Sequence, residues 1–374
     1  MERLQSPPRP DWKEKFEQMG FSFHSLDGVY WNESACYRFS ADEIDMLEET
    51  TAELQRLCRA AVGFALANDL WDELRIPREF GAWIKTSWHK GEPSLYGRFD
   101  LAYDGRNPPK MLEYNADTPT SLIEAAIAQW HWLQELHPDD DQFNSLHEKL
   151  IGRWREMAAR LTQPVHFACI RDNEEDRVNL DYVADTAVQG GIDARFIHVE
   201  DIGLDVEGRF VDLASQRIAT LFKLYPWEWM VREKFGAALR QGAMAVLEPP
   251  WKMLLSNKAL LPILWEMFPG HPNLLPAYFD AAPLGGRYVE KPIFSREGAD
   301  IVVHDGSRTQ RGNADGYGAE GLVYQALAPM PAFNGRYPVI GSWVVGDEPA
   351  GIGMREDATP ITTNTSHFLP HYFV

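Results

Sequence analysis

The stretch YGRFDLAYDGRNPPKMLEYNADTPTSL, Tyr96 to Leu122, constrains the fold more than any other part of the chain. DGRNPP is a turn signal between two runs of strand character, so the runs predict an antiparallel pair. Side chains two apart on a strand share a face. Arg98 and Asp100 therefore point together on the first strand, and Glu113, Asn115 and Asp117 on the second. Such a face has two readings. It is a solvated face carrying surface ion pairs, or it is an oxygen-rich site for magnesium, with a guanidinium placed to stabilise charge on a transferring phosphoryl group.

At 374 residues, 45% of them hydrophobic, the chain has room for two or three domains with real cores. Disorder is expected only in the first ten or so residues, which include SPPRP. The 55 acidic residues outnumber 36 basic ones, giving a formal charge of −19. That argues against nucleic acid as a partner, since binding it relies on Lys and Arg neutralising phosphates, and it is compatible with a cationic substrate. Cys36, Cys58 and Cys169 form no CxxC pair or disulfide framework, which suits a reducing compartment. No apolar core of signal-peptide length opens the chain and no run approaches a membrane span. The expectation is a cytoplasmic protein with no membrane partner, monomeric or homodimeric.

Residues 41–75 have helical spacing and acidic residues in the first turn, predicting one long amphipathic helix or two, closed by Pro77. AWIKTSW predicts a strand; SLIEAAIAQWHWLQEL and residues 143–161 predict helices. Between 165 and 225, strands alternate with a helix that ends at Gly190 and Gly191, the pattern of a small parallel α/β unit. From 247 onward come a helix containing LLPILWEMF, the strands of RYVEKPIFSREGADIVV, the apolar strand GLVYQALAPM and a hairpin, RYPVIGSWVVGDEPAGIGMRED. The fold class is thus mixed, α+β with an α/β part. Three regions are expected: 1–163, helical with the strands of the polar face; 164–246, the small α/β unit; and 247–374, packing back on the first.

Lys291 precedes SREGAD, a loop whose glycine lets backbone N–H groups approach a phosphate. Lys258 lies near a helix start, with Ser256 or Asn257 as the expected cap. Either lysine also reads as an ordinary surface residue. Neither GxxxxGK[ST] nor GxGxxG is present, so a nucleotide would need another scaffold.

Taken in order, YGRFDLAYDG, KMLEYNADTPTSL, LFKLYPWEWM, SNKALLPILWEMFP, YVEKPIFSREGADI, YQALAPMP and GSWVVGDEPAGIGMRED resemble the synthetase half of glutathionylspermidine synthase and its stand-alone bacterial relatives. The resemblance spans nearly the whole chain. It implies a permuted, glutathione-synthetase-like ATP-grasp fold with the small α/β unit inserted, ATP as co-substrate and two magnesium ions. By position it makes Arg98 the phosphate-stabilising catalytic residue and Asp100, Glu113 and Asn115 the metal ligands. ATP contacts fall on Arg98, Phe99 and Asp100, on Lys258 and Lys291, on Gln325, Ala326, Leu327 and Ala328, and on Pro360, Ile361 and Thr362. Asp117, Glu175, Asp176 and Leu224 are candidate substrate contacts. The amidase half of the bifunctional enzyme has no counterpart here, so no catalytic cysteine is expected. Two positions depart from the family pattern: Val339 replaces a polar nucleotide contact, and Leu224 a polar contact to the thiol peptide, which puts glutathione itself in doubt.

The implied activity is an ATP-dependent ligase joining a carboxylic acid to an amine through an acyl phosphate, with peptide and polyamine as the substrate classes. A nucleotide-binding sensor without ligase chemistry and a magnesium-dependent ATPase or kinase remain alternatives. Glu174, Glu175 and Asp176 read either as an amine site or as helix-start acids. Trp227 and Trp229 read as packing residues, and His367 and His371, separated by Pro370, do not form a helical metal pair.

Overall fold

A capping box starts the longest helix. The Ser40 hydroxyl accepts the Glu43 N–H while the Glu43 carboxylate accepts the Ser40 N–H, and the helix runs Ala41–Ala67. Its apolar stripe, including Leu47, Leu54, Leu57, Ala61 and Val62, is fully buried. The helix ends before residue 75 because Asp69 and Arg75 adopt positive φ, which breaks the helical path before Pro77. The computed structural model describes residues 1–25 and 28–374.

Two expectations are corrected here. AWIKTSW, whose aromatic and β-branched residues predict a strand, lies in a helix, Gly81–His89. Gly81, Ile84 and Ser87 are buried at a spacing of three, while Trp83 packs edge-on against Trp227 and Trp88 against Trp251. Tertiary packing overrides local propensity. The first residues are ordered: Glu2–Gln5 pairs antiparallel with Ala35–Phe39, and Arg9 is buried against Glu33 at 2.6 Å. Arg3 reaches Glu356, which also accepts from the Tyr37 hydroxyl, so local polarity at the start of the chain serves long-range ion pairs.

Two antiparallel five-stranded sheets hold the residues of interest. One runs His367–Leu369, Glu348–Asp357, Tyr337–Val345, Tyr96–Ala102, Lys110–Asn115. The C-terminal hairpin therefore completes the sheet that the Tyr96–Asn115 pair begins, far away in sequence. The other runs Ala277–Tyr278, Leu322–Ala326, Arg287–Pro292, Val302–Asp305, Arg308–Arg311. A four-stranded parallel sheet, Ala245–Leu247, Thr220–Leu224, Val165–Cys169, Ala194–His198, carries the helix Glu174–Gln189. No helix among the described residues is long and apolar enough to cross a membrane.

The parallel sheet is tied to the start of the Tyr96 strand by one buried carboxylate. Glu248 accepts the Leu95 and Tyr96 N–H groups and the Ser94 hydroxyl, and pairs with Lys252 at 2.9 Å. Lys252 in turn donates to the Tyr96 carbonyl at 2.6 Å. Glu248→Ala would leave a buried ammonium and two buried N–H groups without their partner. Urea unfolding should show a loss of roughly 3–5 kcal/mol; a change within error would mean that the clamp is not structural.

Candidate active site

Across the antiparallel pair Asp100 faces Glu113 and Arg98 faces Asn115, so these four polar side chains share one face of the sheet. The other face is apolar. Phe99 stacks on Tyr114 at 3.9 Å, and the Tyr114 hydroxyl donates to Gln55 of the long helix. The Phe99 side chain thus turns away from the polar face, as strand alternation requires.

The charges on the polar face pair with one another. Arg98 donates to Asp100 through Nε at 2.8 Å and to the Thr120 carbonyl through Nη1 at 2.5 Å. Arg355 donates to the second Asp100 oxygen at 2.6 Å. Lys258 sits 3.1 Å from Glu113 and donates to the Ser295 carbonyl. Burial pushes the Glu113 carboxyl up, but Lys258 and Lys291 outweigh it and hold it at about 2. Lys291 donates to the Leu112 carbonyl and to Gln325 Oε1, and burial pushes its ammonium down to about 8 against the pull of Glu113. The helix beyond Lys258 begins at Leu260, and its N-cap is Ala259. Asn257 instead accepts the Ala259 N–H and donates to the Leu74 and Met253 carbonyls, so the predicted cap residue forms the turn that precedes the helix.

Three cavities meet at Glu113. One is lined by Asp100, Lys291, Gln325 to Ala328, Val339 and Pro360 to Thr362, which brings together most of the predicted nucleotide contacts. Gly298, at φ +70°, allows its loop to lie directly on Thr362: an added Cβ would sit 2.2 Å from the Thr362 carbonyl oxygen. Lys258 and Asn115 line a second, smaller cavity. The third, larger than the other two, has Arg98, Arg296 and Arg355 with Asp176, Glu297 and Leu224 on its walls.

The remaining candidates divide. Leu224 is on the wall of the large cavity and Asp176 faces it from the helix start, where Asn173 caps the Asp176 N–H. Burial, with Glu297 adding repulsion, pushes Asp176 to about 6; burial and the neighbouring Glu124, Glu297 and Asp176 push Glu175 to about 8. Asp117 does not continue the polar face. The strand ends at Asn115, and Asp117 turns inward, accepting from Lys223 at 2.6 Å and from the Trp227 N–H at 2.8 Å. Trp227 is buried packing, as predicted, but Trp229 is 41% exposed on the cavity, with the Arg296 guanidinium over its ring. Burial pushes the Cys36 and Cys169 thiols to about 11 and Cys58 higher still, which suits none as a nucleophile. His367 and His371 lie on separate short strands, and burial pushes His371 down to about 3.

Sequence reasoning missed Arg355, Arg296 and Glu297. Arg355 reaches Asp100 only because the hairpin docks beside the Tyr96 strand, a pairing that no local pattern reports. Arg296 and Glu297 stand inside SREGAD, and their charge in a loop after a buried lysine was the available signal; Arg296 bonds Thr118 at 3.0 Å and Glu228 at 2.5 Å.

The glutathionylspermidine synthase preATP-grasp family model matches residues 3–374. The chain belongs to this family. A Haemophilus influenzae protein bearing the name of an acid–amine ligase is 43% identical over 98% of both chains. Trypanothione synthetase of Crithidia fasciculata is 28% identical, over 79% of this chain and 49% of its own length. The bifunctional glutathionylspermidine synthetase/amidase of Escherichia coli is 26% identical, over 96% and 63%. The chain thus spans nearly all of the first relative and about half to two thirds of the other two. A glutathione synthetase-like effector from Globodera pallida, solved in its apo form, has the same fold at a TM-score of 0.57 and 13% identity, with 98% of each chain covered.

Lys291 supplies a test of the nucleotide side. Its folded pKa lies below its ordinary value, so in the free protein it is largely neutral above about pH 8. A bound triphosphate favours the charged form, so ATP binding at pH 8.5 should take up a proton on Lys291. Calorimetry in buffers of different ionisation heat should show this uptake, and Lys291→Met should remove it. Identical proton balance in both proteins would place the phosphates elsewhere.

Proposed function

We propose that the protein is an ATP- and magnesium-dependent carboxylate–amine ligase that forms an amide through an acyl phosphate. The observation that carries this reading is the place of Glu113, at the junction of a cavity lined by nucleotide-contact candidates and a larger one with cationic and acidic walls. The acid–amine ligase class follows the family; the substrates are our inference from the cavity. We read the architecture as an ATP-grasp fold in permuted order, the metal ligands of region 1–163 preceding the lysines of region 247–374, with 164–246 as an inserted parallel α/β subdomain.

Asp100, Glu113 and Asn115 fit magnesium by their chemistry: all three offer hard oxygen, and two are direct cross-strand partners. Among the described residues no three His, Cys, Asp or Glu side chains are grouped to hold a metal, so the candidate set is two carboxylates with the Asn115 amide. These residues would hold magnesium, which would supply neutralisation of charge on the phosphates. Lys258 and Lys291 bind the phosphates, and Gln325 to Ala328 and Pro360 to Thr362 border the nucleotide. Arg98 stabilises charge on the transferring phosphoryl group, and Arg355 beside it orients the substrate carboxylate towards the terminal phosphorus. A carboxylate oxygen attacks that phosphorus, and the bond to ADP breaks with its electron pair on ADP. The amine nitrogen then attacks the carbonyl carbon, and phosphate leaves with the electron pair of the C–O bond. Catalysis here is positioning and charge stabilisation, with no covalent enzyme intermediate.

The large cavity favours a cationic amine of the polyamine class, since Asp176 and Glu297 face it and Glu175 stands beside them. Leu224, Ile170 and Pro226 give the wall an apolar stretch, which suits a peptide-like acid held otherwise than glutathione.

Hydroxylamine traps acyl phosphates, so protein, Mg-ATP and a panel of peptide acids should yield a hydroxamate, and ADP release should depend on both acid and amine. If no acid produces hydroxamate or stimulates ADP release, the ligase reading falls and a sensor role takes its place. Arg98→Ala should lower kcat by about 100-fold or more while the KM for ATP moves little. Arg98→Lys should not rescue, because it loses the fork that spans Asp100 and the Thr120 carbonyl. Weakened ATP binding with a normal kcat would make Arg98 a ground-state contact instead.

A further inference from the structure

Glu124 is a buried carboxyl group for which the steps above have no use. It is 1% exposed and opens the π-helical segment Glu124–Ala128, just beyond the Thr118–Thr120 wall of the large cavity. Such wide turns interrupt a helix at a cost and are frequent at functional positions. The Tyr30 hydroxyl donates to Oε1 at 2.5 Å, whereas Oε2 has no hydrogen-bond partner among the described residues. A buried carboxylate oxygen left without a partner is costly, so this group is poised to hold a proton.

The sheet explains how Glu124 comes so near the site. Gly341 and Gly353 are cross-strand partners, and Gly341 also faces Asp100. A Cβ on Gly341 would meet the Arg98 side chain at 2.9 Å, and one on Gly353 would meet Ala125 Cβ at 3.3 Å. Their missing side chains let Arg98 and the π-helical segment lie on the same face of the sheet, the face of Asp100 and Arg355. The charged and titratable groups around Glu124 are Tyr30, Arg98, Arg355 and Glu175, and Glu175 in turn faces Asp176 and Glu297. Burial pushes Glu124 up to about 7, with Tyr30 and the two guanidinia opposing it. Glu175, which bonds Thr120 of the cavity wall, is pushed up to about 8 by burial and by the neighbouring Glu124, Glu297 and Asp176 carboxyls.

We propose that Glu124, acting through Glu175, takes up the proton that the amine substrate must lose before it attacks. The proposal rests on the ligase reading. An alkylammonium has no lone pair; its proton passes to the carboxyl pair, and the freed lone pair forms the C–N bond as the C–O bond to phosphate breaks. The second N–H proton leaves with the phosphate, and the carboxyl pair returns its proton to solvent. Glu124 is a positioning residue in this scheme, since it works through Glu175 at the edge of the cavity.

Hydroxylamine separates this role from a structural one, because it is a weak base already neutral at pH 7 and needs no proton acceptor. Glu124→Gln keeps the shape and an acceptor for Tyr30. At pH 7 it should form hydroxamate at the wild-type rate while amide formation with an alkyl polyamine falls about 100-fold. Amide formation should recover as pH is raised and the amine deprotonates unaided. Equal loss of both products, or loss of neither, overturns the proposal. Tyr30→Phe provides an independent reading. Removing a hydrogen bond to the ionised carboxylate raises its pKa, so the ascending limb of the amide pH profile should move to higher pH; an unmoved limb overturns the proposal. Wild-type protein that makes no hydroxamate from any acid overturns the ligase reading and this proposal with it. Wild-type hydroxamate with the wrong variant pattern overturns this proposal alone.

Discussion

Asp100 is gripped from two sides, by Arg98 and by Arg355, and the rest of the site is arranged around that buried contact. Charges withdrawn from water need partners at all times. Without ligands, the polar face meets this demand internally: Asp100 with two guanidinia, Glu113 with Lys258, Lys291 with Gln325 and the Leu112 carbonyl. In the ligase reading we propose, a triphosphate and a divalent cation would bring charges of the complementary kinds, and binding would exchange partners among groups already in place, leaving little reorganisation for phosphoryl transfer.

Such an array is useful only on a rigid support. The Tyr96 strand is held at its entrance by Glu248 and Lys252, and at its flank by a hairpin some 240 residues later in the chain, whose Ile340–Val345 segment pairs with it residue by residue. The hairpin is itself held by the first residues of the chain, since Arg3 and Tyr37 converge on Glu356, next to Arg355. Asp117 ties the end of the second site strand to the parallel sheet through Lys223. Segments remote in sequence thus fix the geometry of one short pair of strands.

The large cavity separates charge by function. The Arg98, Arg296 and Arg355 guanidinia and the Asp176 and Glu297 carboxyls share its walls, and the proposed reading assigns the first set to the acid and its phosphoryl group and the second to a cationic amine. The net charge of −19 agrees in sign with a cationic substrate, but the local arrangement says more. Burial is the first cause of the raised pKa of Glu175, Asp176 and Glu297, and the Glu297 charge adds repulsion on the other two.

Local pattern determined the polar face. Strand alternation and one turn suffice to place Arg98, Asp100, Glu113 and Asn115 together, and the family blocks add Lys258, Lys291 and the two segments, Gln325 to Ala328 and Pro360 to Thr362, as candidate nucleotide contacts. Both are short-range information, carried by a few residues of fixed spacing. The strand–helix–strand pattern of the parallel unit was legible for the same reason. Other features depend on contacts that no window of sequence contains. AWIKTSW became a helix because its tryptophans meet Trp227 and Trp251, and the first residues became a strand because Ala35–Phe39 offers them an edge. Asp117 left the site because its strand stops at Asn115 and a buried lysine awaits it. Arg355, Arg296 and the buried Glu124 entered the site region only when the hairpin and the π-helical segment settled on one face of the sheet. Charge placement of that kind is decided by long-range packing and desolvation, which act only once the chain has folded.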